Sequence, residues 1–405
     1  MIGVLLFASS LANADCTLIA GGDLVTPEGR VAGATLLLEG QTIHGINPDA
    51  SKTGACVELD LPEGSVVTPA FIEAHTSLGL VEVGLEKRTV DFSSNEADKV
   101  RAALRVADAY NPHSSLIPIA RLGGLSTAIL VPSGGLISGQ GAAVDLSGTS
   151  QSAATVRGSV GVYAHMGGRD GSRAQTLLRL RELIDDTQTY RQQKRDWQRD
   201  ALRPLAAERL DLEAMLPVVD GEVPLVLSAE RAADIEATLR LATETGIRLV
   251  IVGGSEAWLL ADELAQAQVP VILDPLVYGP GSFEQVHARA DNAALLHKAG
   301  VPVVLSTFSS HNARNLRQNA ANAVRGGLPW ETAIAAITAT PAEVFGLSNQ
   351  GRLEEGNVAN VAIFSGDPLE PSSKLLHLWI RGEAIALTSR QDALLEKYRE
   401  LPSAP

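Results

Sequence analysis

The sequence predicts an α/β protein in which a (β/α)8 barrel of the TIM type is inserted into a small β-sandwich formed by both chain ends. Three observations lead to this prediction. The chain has 405 residues, whereas a single core stops growing at roughly 250–300 residues, so a large domain with a smaller companion is expected. The middle of the chain alternates β-branched runs with helical patterns, and further strand-like runs stand at both ends.

Composition excludes several classes of protein. Apolar residues make up 45% of the chain and charged residues 20%, which is typical of a globular protein and argues against disorder or a fibre. The 33 basic and 47 acidic side chains give a formal charge of −14, which repels phosphate backbones, so no nucleic-acid partner is expected. No apolar run reaches the length of a membrane helix, so no membrane span is expected.

The amino terminus predicts export. Residues 1–14 contain a short apolar core followed by Ala12-Asn13-Ala14, which is typical of a signal-peptide cleavage site. No basic residue precedes the core, so the expectation is a truncated signal peptide of a periplasmic or secreted protein. The alternative is a buried first strand in a cytoplasmic protein. The two cysteines, Cys16 and Cys56, would pair in an oxidising compartment or stay buried as thiols in a reducing one.

The strand-like runs at the two ends are each too short to form a domain alone. We therefore expect residues 15–65 and 350–390 to pair into one composite β-sandwich, with the barrel inserted as residues 66–349 and a carboxyl-terminal tail at 391–405. The candidate barrel strands are residues 66–75, 125–132, 141–147, 160–166, 224–228, 248–253, 269–275 and 301–307.

Two helical segments are predicted within the barrel region. The helix after Ser228 is amphipathic and should end at Gly246, a suitable residue for a helix C-terminus. Residues 172–216 are helical in period and dense in both signs of charge, which predicts solvated helices outside the barrel. Tyr190 and Trp197 within this excursion keep open the alternative of a partner-binding surface.

Four stretches, residues 67–80, 306–316, 333–347 and 351–368, carry a resemblance to a known family. In sequence and order they resemble the amidohydrolase superfamily, in particular imidazolonepropionase-like and related cyclic-amide hydrolases. The resemblance implies the barrel-and-sandwich fold. It also implies hydrolysis of non-peptide C–N bonds by water activated on one or two divalent metal ions at the carboxyl ends of the strands.

The same resemblance implies metal ligands at the ends of the first, fifth, sixth and eighth strands. His75 keeps the first of these positions. The other positions hold residues that do not supply the family's ligands: Ser77, Ser228, Gly253 and Phe308. Structural zinc sites gain about 10–16 kcal/mol from four closely placed ligands. We therefore expect the standard metal site to be absent and no cofactor to be bound.

Other residues are candidates for a replacement site. His165 and His311 lie near strand ends and would bind zinc with His75 if their nitrogens converged, and Asp274 and Glu256 are the carboxylates best placed to join them. The catalytic candidates are therefore His75, His165, Asp274 and His311. The structural alternative is that strand-end histidines are simply hydrogen-bonded.

Two residues are candidates for substrate binding. Arg173 and Glu256 lie near predicted turns at the strand ends. Glu256 has a structural alternative, because it follows Ser255, a suitable N-cap, where a carboxylate stabilises the helix dipole. A metal-free site would need Ser77 or Ser306 beside a histidine, and no nucleophile-elbow motif is present.

Two functions follow from these patterns. The first is a non-catalytic or altered-activity homologue that binds a small molecule, or that supports an active relative in a homo- or hetero-oligomer. The alternative is an active hydrolase of non-peptide C–N bonds that uses a divalent metal such as zinc in a non-standard site built on His75, His165 and His311. Fold alone does not separate the two, because function depends on the site.

Overall fold

The structure is a computed structural model, and it confirms the predicted fold class. It describes residues 16–399 apart from 27–28, 50–55, 94–98, 168–171, 198 and 200–202. The proposed signal peptide at 1–14 lies outside the described residues, so export stays a prediction.

Both chain ends contribute to one eight-stranded sheet. Its strands are β1 (Cys16–Thr26), β2 (Gly29–Glu39), β3 (Thr42–Ile46), β4 (Val57–Asp60), β5 (Val66–Pro69), β14 (Val361–Phe364), β15 (Leu375–Ile380) and β16 (Glu383–Ala384). The order is β16-β15-β14-β5-β1-β2-β3, and β4 pairs with β1. Strand β5 pairs with β1 on one side and with β14 on the other, so the two ends of the chain are joined by backbone hydrogen bonds.

A disulfide bond joins Cys16 to Cys56. Strands β1 and β4 run parallel with Thr17 opposite Val57, which places the two preceding cysteines side by side, 4.7 Å apart between Cα atoms. The bond closes a sequence separation of 40 residues. A cross-link over a loop of this length restricts the unfolded chain and stabilises the fold.

We predict that the double variant Cys16→Ser/Cys56→Ser is less stable than the wild type by about 2–4 kcal/mol, because the unfolded chain regains the entropy of the open loop. Chemical denaturation measures the difference. The matched control is the wild type with a reductant, which should lose the same amount, while the reductant leaves the double variant unchanged. Equal stability of all four samples would contradict the prediction.

The second eight-stranded sheet is the barrel. Its strands are β6 (Phe71–Thr76), β7 (Leu125–Leu130), β8 (Ile137–Asp145), β9 (Thr155–His165), β10 (Leu225–Ala229), β11 (Leu249–Gly253), β12 (Val271–Leu273) and β13 (Val303–Leu305), in sequential order. Each overlaps a predicted strand. The predicted strand at 66–75 divides at Ala70, however, because the backbone there changes from pairing with β14 to pairing with β7.

One barrel strand departs from the regular (β/α)8 pattern. Strand β8 runs antiparallel to both β7 and β9, whereas the other neighbouring strands are parallel. Only residues 131–136 connect β7 to β8, and this turn contains Gly134 and Gly135 at φ +98° and +66°. A parallel connection needs a dozen or more residues, so a link this short permits only a hairpin.

The described helices surround the barrel and its ends. They are α1 (Leu116–Arg121), α2 (Gln151–Ala154), α3 (Arg173–Gln192), α4 (Lys194–Trp197), α5 (Arg209–Val219), α6 (Ala232–Thr245), α7 (Ala261–Gln266), α8 (Asn292–Ala299), α9 (Leu316–Arg325), α10 (Trp330–Ala335), α11 (Ala339–Val344) and α12 (Arg390–Tyr398). Helix α6 ends at Gly246 in the left-handed conformation, as predicted. Within the described ranges, every helix is too short or too polar to cross a bilayer.

The charged excursion is not solvated on all sides. Helix α3 packs against α5 and α6 and buries Leu180, Leu183 and Tyr190 in the main core. Tyr190 is completely buried, and its ring makes an edge contact with Trp197 at 5.5 Å between centroids. The inner face of α3 is therefore buried against the core and not solvated, and Tyr190 is not part of an exposed surface.

Apolar side chains fill the inside of the barrel, so it is a packed core and not a pore. Ile72, Ala74, Val226, Val252 and Val304 belong to this cluster, and each is almost completely buried. The space above this core, at the carboxyl ends of the strands, is where a barrel of this type places its site.

Candidate functional site

A cavity of about 300 Å³ opens at the carboxyl ends of the barrel strands. The described residues that line it are His75, Thr76, Ser77, Phe92, Val131, Pro132, Ser133, Tyr163, Ala164, His165, Val226, Ser228, Glu230, Val252, Gly253 and Phe308. The structure thus brings together His75, which keeps the histidine expected of a metal ligand, and the other four positions where the resemblance expects metal ligands.

His75 lies among aromatic rings. Its ring centroid is 4.7 Å from that of Phe308 and 6.0 Å from that of Tyr163. Its Nδ1 atom is buried and has no hydrogen-bond partner within the described part of the chain. Burial, and to a smaller extent the nearby His165, lower the pKa of His75 to about 3. At neutral pH His75 is therefore an uncharged imidazole in largely apolar surroundings.

Phe308 occupies the eighth-strand position with an unusual backbone. Its φ is +52°, in the left-handed region that side chains other than glycine rarely adopt. Its backbone N–H donates to the Ser306 hydroxyl over 3.2 Å, which helps to hold the turn. In this conformation the ring packs against the apolar cluster inside the barrel and covers it from the cavity side. An apolar ring therefore stands where the resemblance expects an acidic oxygen.

The side chain of Glu73 connects the first and the last strand of the barrel. Its fully buried carboxylate, on β6, accepts hydrogen bonds from the Ser306 hydroxyl and from the Thr307 backbone N–H (3.2 Å) and hydroxyl (2.8 Å). These donors follow β13, so the carboxylate ties the first barrel strand to the last. Burial raises the pKa of Glu73 to about 7, although these hydrogen bonds act in the opposite direction.

We predict that Glu73 makes stability fall as pH rises from about 4.5 to about 7. In this range the folded protein keeps a proton that the unfolded chain, with an ordinary pKa of 4.5, has lost. The difference in pKa corresponds to a loss on the order of 3 kcal/mol across the range.

The measurement is chemical denaturation at several pH values for the wild type and Glu73→Gln. The gap between the two should change with pH, because glutamine does not titrate. Glu63→Gln, an exposed position between β4 and β5, is the matched control and should track the wild type. A gap between wild type and Glu73→Gln that stays constant from pH 4.5 to 7 would exclude this role.

Glu230 is a site residue that sequence reasoning missed. It follows β10, and its Oε2 accepts hydrogen bonds from the Ser255 hydroxyl and from the Ser255 backbone N–H, the latter over 3.1 Å. A Cβ atom built on Gly253 would overlap Glu230 Oε1, and Gly253 has φ +92°. The carboxylate therefore occupies the space that a side chain on the sixth strand would need. The Gly253-Gly254 pair was the available signal, because adjacent glycines after a strand often mark close approach of another group.

The three-histidine set is not assembled. His165 lines the cavity opposite Ser228 on the neighbouring strand. His311 is exposed away from the cavity, where its ring nitrogens lie 3.0 Å from Ser310 Oγ and 3.1 Å from the Glu82 carbonyl oxygen. His311 therefore does not converge with His75 and His165, and the alternative three-histidine site is not formed.

Asp274 is also outside the cavity lining. Its Oδ1 accepts hydrogen bonds from the Asn319 side chain (3.0 Å) and the Leu276 backbone (2.9 Å), which fix the turn after β12 against α9. Burial raises its pKa. Asp274 therefore has a structural role in the described residues and does not join the two histidines of the cavity.

The two candidates for substrate binding are engaged elsewhere. Arg173 donates from Nε to Asp234 over 2.6 Å and from another nitrogen to Glu284. Glu256 accepts from the backbone N–H groups of Ala232 (3.0 Å) and His287 (3.2 Å). The carboxylate does sit at a helix N-terminus, but at that of α6 and not of the helix that follows it. The expected N-cap Ser255 donates to Glu230 instead.

The donor set does not fit a divalent metal centre. Among the residues that the structure describes, no three His, Cys, Asp or Glu side chains come together in a way that could hold a metal ion. At the expected ligand positions the cavity offers one imidazole, two hydroxyls, a bare backbone and a phenyl ring. Such a set lacks the several fixed N, O or S donors on which tight binding of zinc depends.

Comparison with known proteins gives a family match over part of the chain and a fold match over most of it. Residues 225–387 match the amidohydrolase family. The fold matches the crystal structure of an amidohydrolase from Thermotoga maritima at a TM-score of 0.83 and 24% identity, covering 91% of this chain and 99% of that one. The family match over residues 225–387, together with the shared fold, supports the amidohydrolase superfamily. The finer likeness to imidazolonepropionase stays a prediction.

Other solved structures share the fold at lower similarity. Ochratoxinase from A. niger aligns at a TM-score of 0.54 and 17% identity, over 92% of this chain and 95% of that one. A mutant atrazine chlorohydrolase from Arthrobacter aurescens, solved with zinc and atraton, aligns at 0.54 and 16% identity, over 91% and 95%. In sequence, 92 residues are 29% identical to amidohydrolase tasK of Hapsidospora irregularis, which is 22% of this chain but only 9% of that protein.

Proposed function

We propose that this superfamily member binds a small molecule in the cavity at the barrel mouth without a catalytic metal ion, as a non-catalytic or altered-activity homologue. The observation that carries the proposal is the close contact between His75 and Phe308, with ring centroids 4.7 Å apart. The one imidazole kept at a ligand position faces a hydrocarbon ring where the family places an acidic oxygen.

The position of Glu230 supports the same conclusion. A histidine at Gly253 would require this carboxylate to move, and moving it would break its hydrogen bonds with Ser255. The site is therefore rebuilt around the lost ligands and is not simply missing them. Because the donors do not fit a metal, no hydrolytic step through a metal-bound water is assigned to this chain.

The cavity remains suited to a ligand. Its lining includes the apolar residues Val131, Val226 and Val252, which belong to the core cluster, and the polar residues Ser77 and Ser228. An apolar concave surface with a few polar groups is the usual form of a small-molecule site. The volume of about 300 Å³ accommodates a compact ligand.

Elemental analysis of the purified protein, prepared without chelators, tests the proposal. We predict far less than one zinc, manganese or iron ion per chain, because no three His, Cys, Asp or Glu side chains of the described residues come together to hold one. Stoichiometric metal that disappears in His75→Ala but persists in the control His311→Ala would refute the proposal. That result would favour an active hydrolase with a non-standard site.

A gain-of-function variant tests the reason for the absence of metal. We predict that Ser77→His/Ser228→His/Phe308→Asp acquires stoichiometric zinc, because these changes give His75 three further ligands at the mouth of the same cavity. Zinc titration by calorimetry measures binding, and thermal denaturation establishes that the variant is folded. The matched control adds His75→Ala and should bind much more weakly. A folded triple variant that binds no zinc would show that loss of these donors is not the cause.

A further inference from the structure

The charged side chains that line the cavity are acidic and not basic among the described residues. Of the described residues that line it, none is Lys or Arg, and Glu230 is the one acidic side chain. Oxygen Oε2 of Glu230 is occupied by Ser255, whereas Oε1 points to the space above Gly253, on the cavity wall. The hydrogen bonds of Oε2 therefore hold the carboxylate in position, with Oε1 beside Gly253 in the cavity lining.

Aromatic rings also line the cavity. Phe308, Tyr163 and Phe92 line the same cavity, and the His75 ring lies between those of Phe308 and Tyr163. The Tyr163 hydroxyl is buried and has no hydrogen-bond partner in the described part of the chain. The faces of aromatic rings attract cations, and the attraction strengthens when water is excluded.

The position of the Tyr163 ring in the cavity lining is fixed by its packing. A Cβ atom on Gly141, in the neighbouring strand β8, would overlap this ring, so the glycine makes room for it. Tyr163 is 4% exposed, which fixes its position against the barrel. The aromatic lining is therefore a preformed part of the fold.

We propose that the ligand of this cavity is a small organic cation, a primary or secondary ammonium ion attached to an apolar body, whose N–H donates to Glu230 Oε1 and whose body packs against Phe308 and Tyr163. The inference deepens the proposed function, on which it rests, by naming the class of ligand. A carboxylate beside aromatic rings favours a cation over a neutral molecule of the same shape and disfavours an anion.

Three probes of nearly equal shape test the charge preference: benzylammonium, benzyl alcohol and benzoate. Calorimetric titration at about pH 8, where an ordinary imidazole is uncharged, should show benzylammonium binding at least about tenfold more tightly than benzyl alcohol, with benzoate the weakest. Benzyl alcohol or benzoate binding as tightly as benzylammonium would overturn the inference, and so would failure of all three to bind.

Two variants locate the binding. Glu230→Gln should weaken benzylammonium at least about tenfold and leave benzyl alcohol nearly unchanged, because it removes the charge and keeps an acceptor for Ser255. Glu222→Gln removes the same charge from an exposed position before β10 and should have no effect. Phe308→Leu should weaken benzylammonium while keeping the apolar volume. An unchanged affinity in Glu230→Gln would overturn the inference.

The two proposals fail in different ways. Finding stoichiometric metal in the purified protein would refute the proposed function, whatever affinities the three probes show. In metal-free protein, a preference for a neutral or anionic probe removes the cation assignment and leaves the metal-free cavity in place.

Discussion

The buried carboxylate of Glu73 is the constraint on which the site depends. It accepts hydrogen bonds from the segment that follows the last barrel strand, and it lies two residues before His75 on the first. Removing a carboxylate from water is costly unless donors surround it, and Ser306 and Thr307 supply them. The same residues lead directly into the left-handed turn at Phe308. One buried group thus positions both rings that face each other in the cavity.

The altered ligand positions are compensated by their surroundings. Gly253 is paired with Glu230, which fills the space of the missing side chain, and Phe308 is paired with His75 through ring contact. A loss of these side chains without such changes would leave empty space, which costs stability. In this cavity, aromatic surface and one carboxylate stand where the resemblance expects metal ligands.

Much of the fold was predictable because it follows from local patterns. The eight barrel strands, the helix that ends at Gly246 and the pairing of the chain ends are encoded by runs of apolar residues and by turn residues. The antiparallel direction of β8 was missed, since periodicity carries no information on direction and only the short link at Gly134-Gly135 indicates it. The inner face of α3 was missed because charged residues dominate its composition.

The sequence by itself determined which ligand types are missing, since a serine, a glycine and a phenylalanine carry their chemistry wherever they stand. It also determined that His75 ends a strand. The tertiary structure decided which groups meet: His165 joins His75 at the cavity, His311 and Asp274 do not, and Glu230 does. The physical reason is that loops after strands can turn toward or away from the barrel axis, and the hydrogen bonds that select the direction come from residues far apart in the chain.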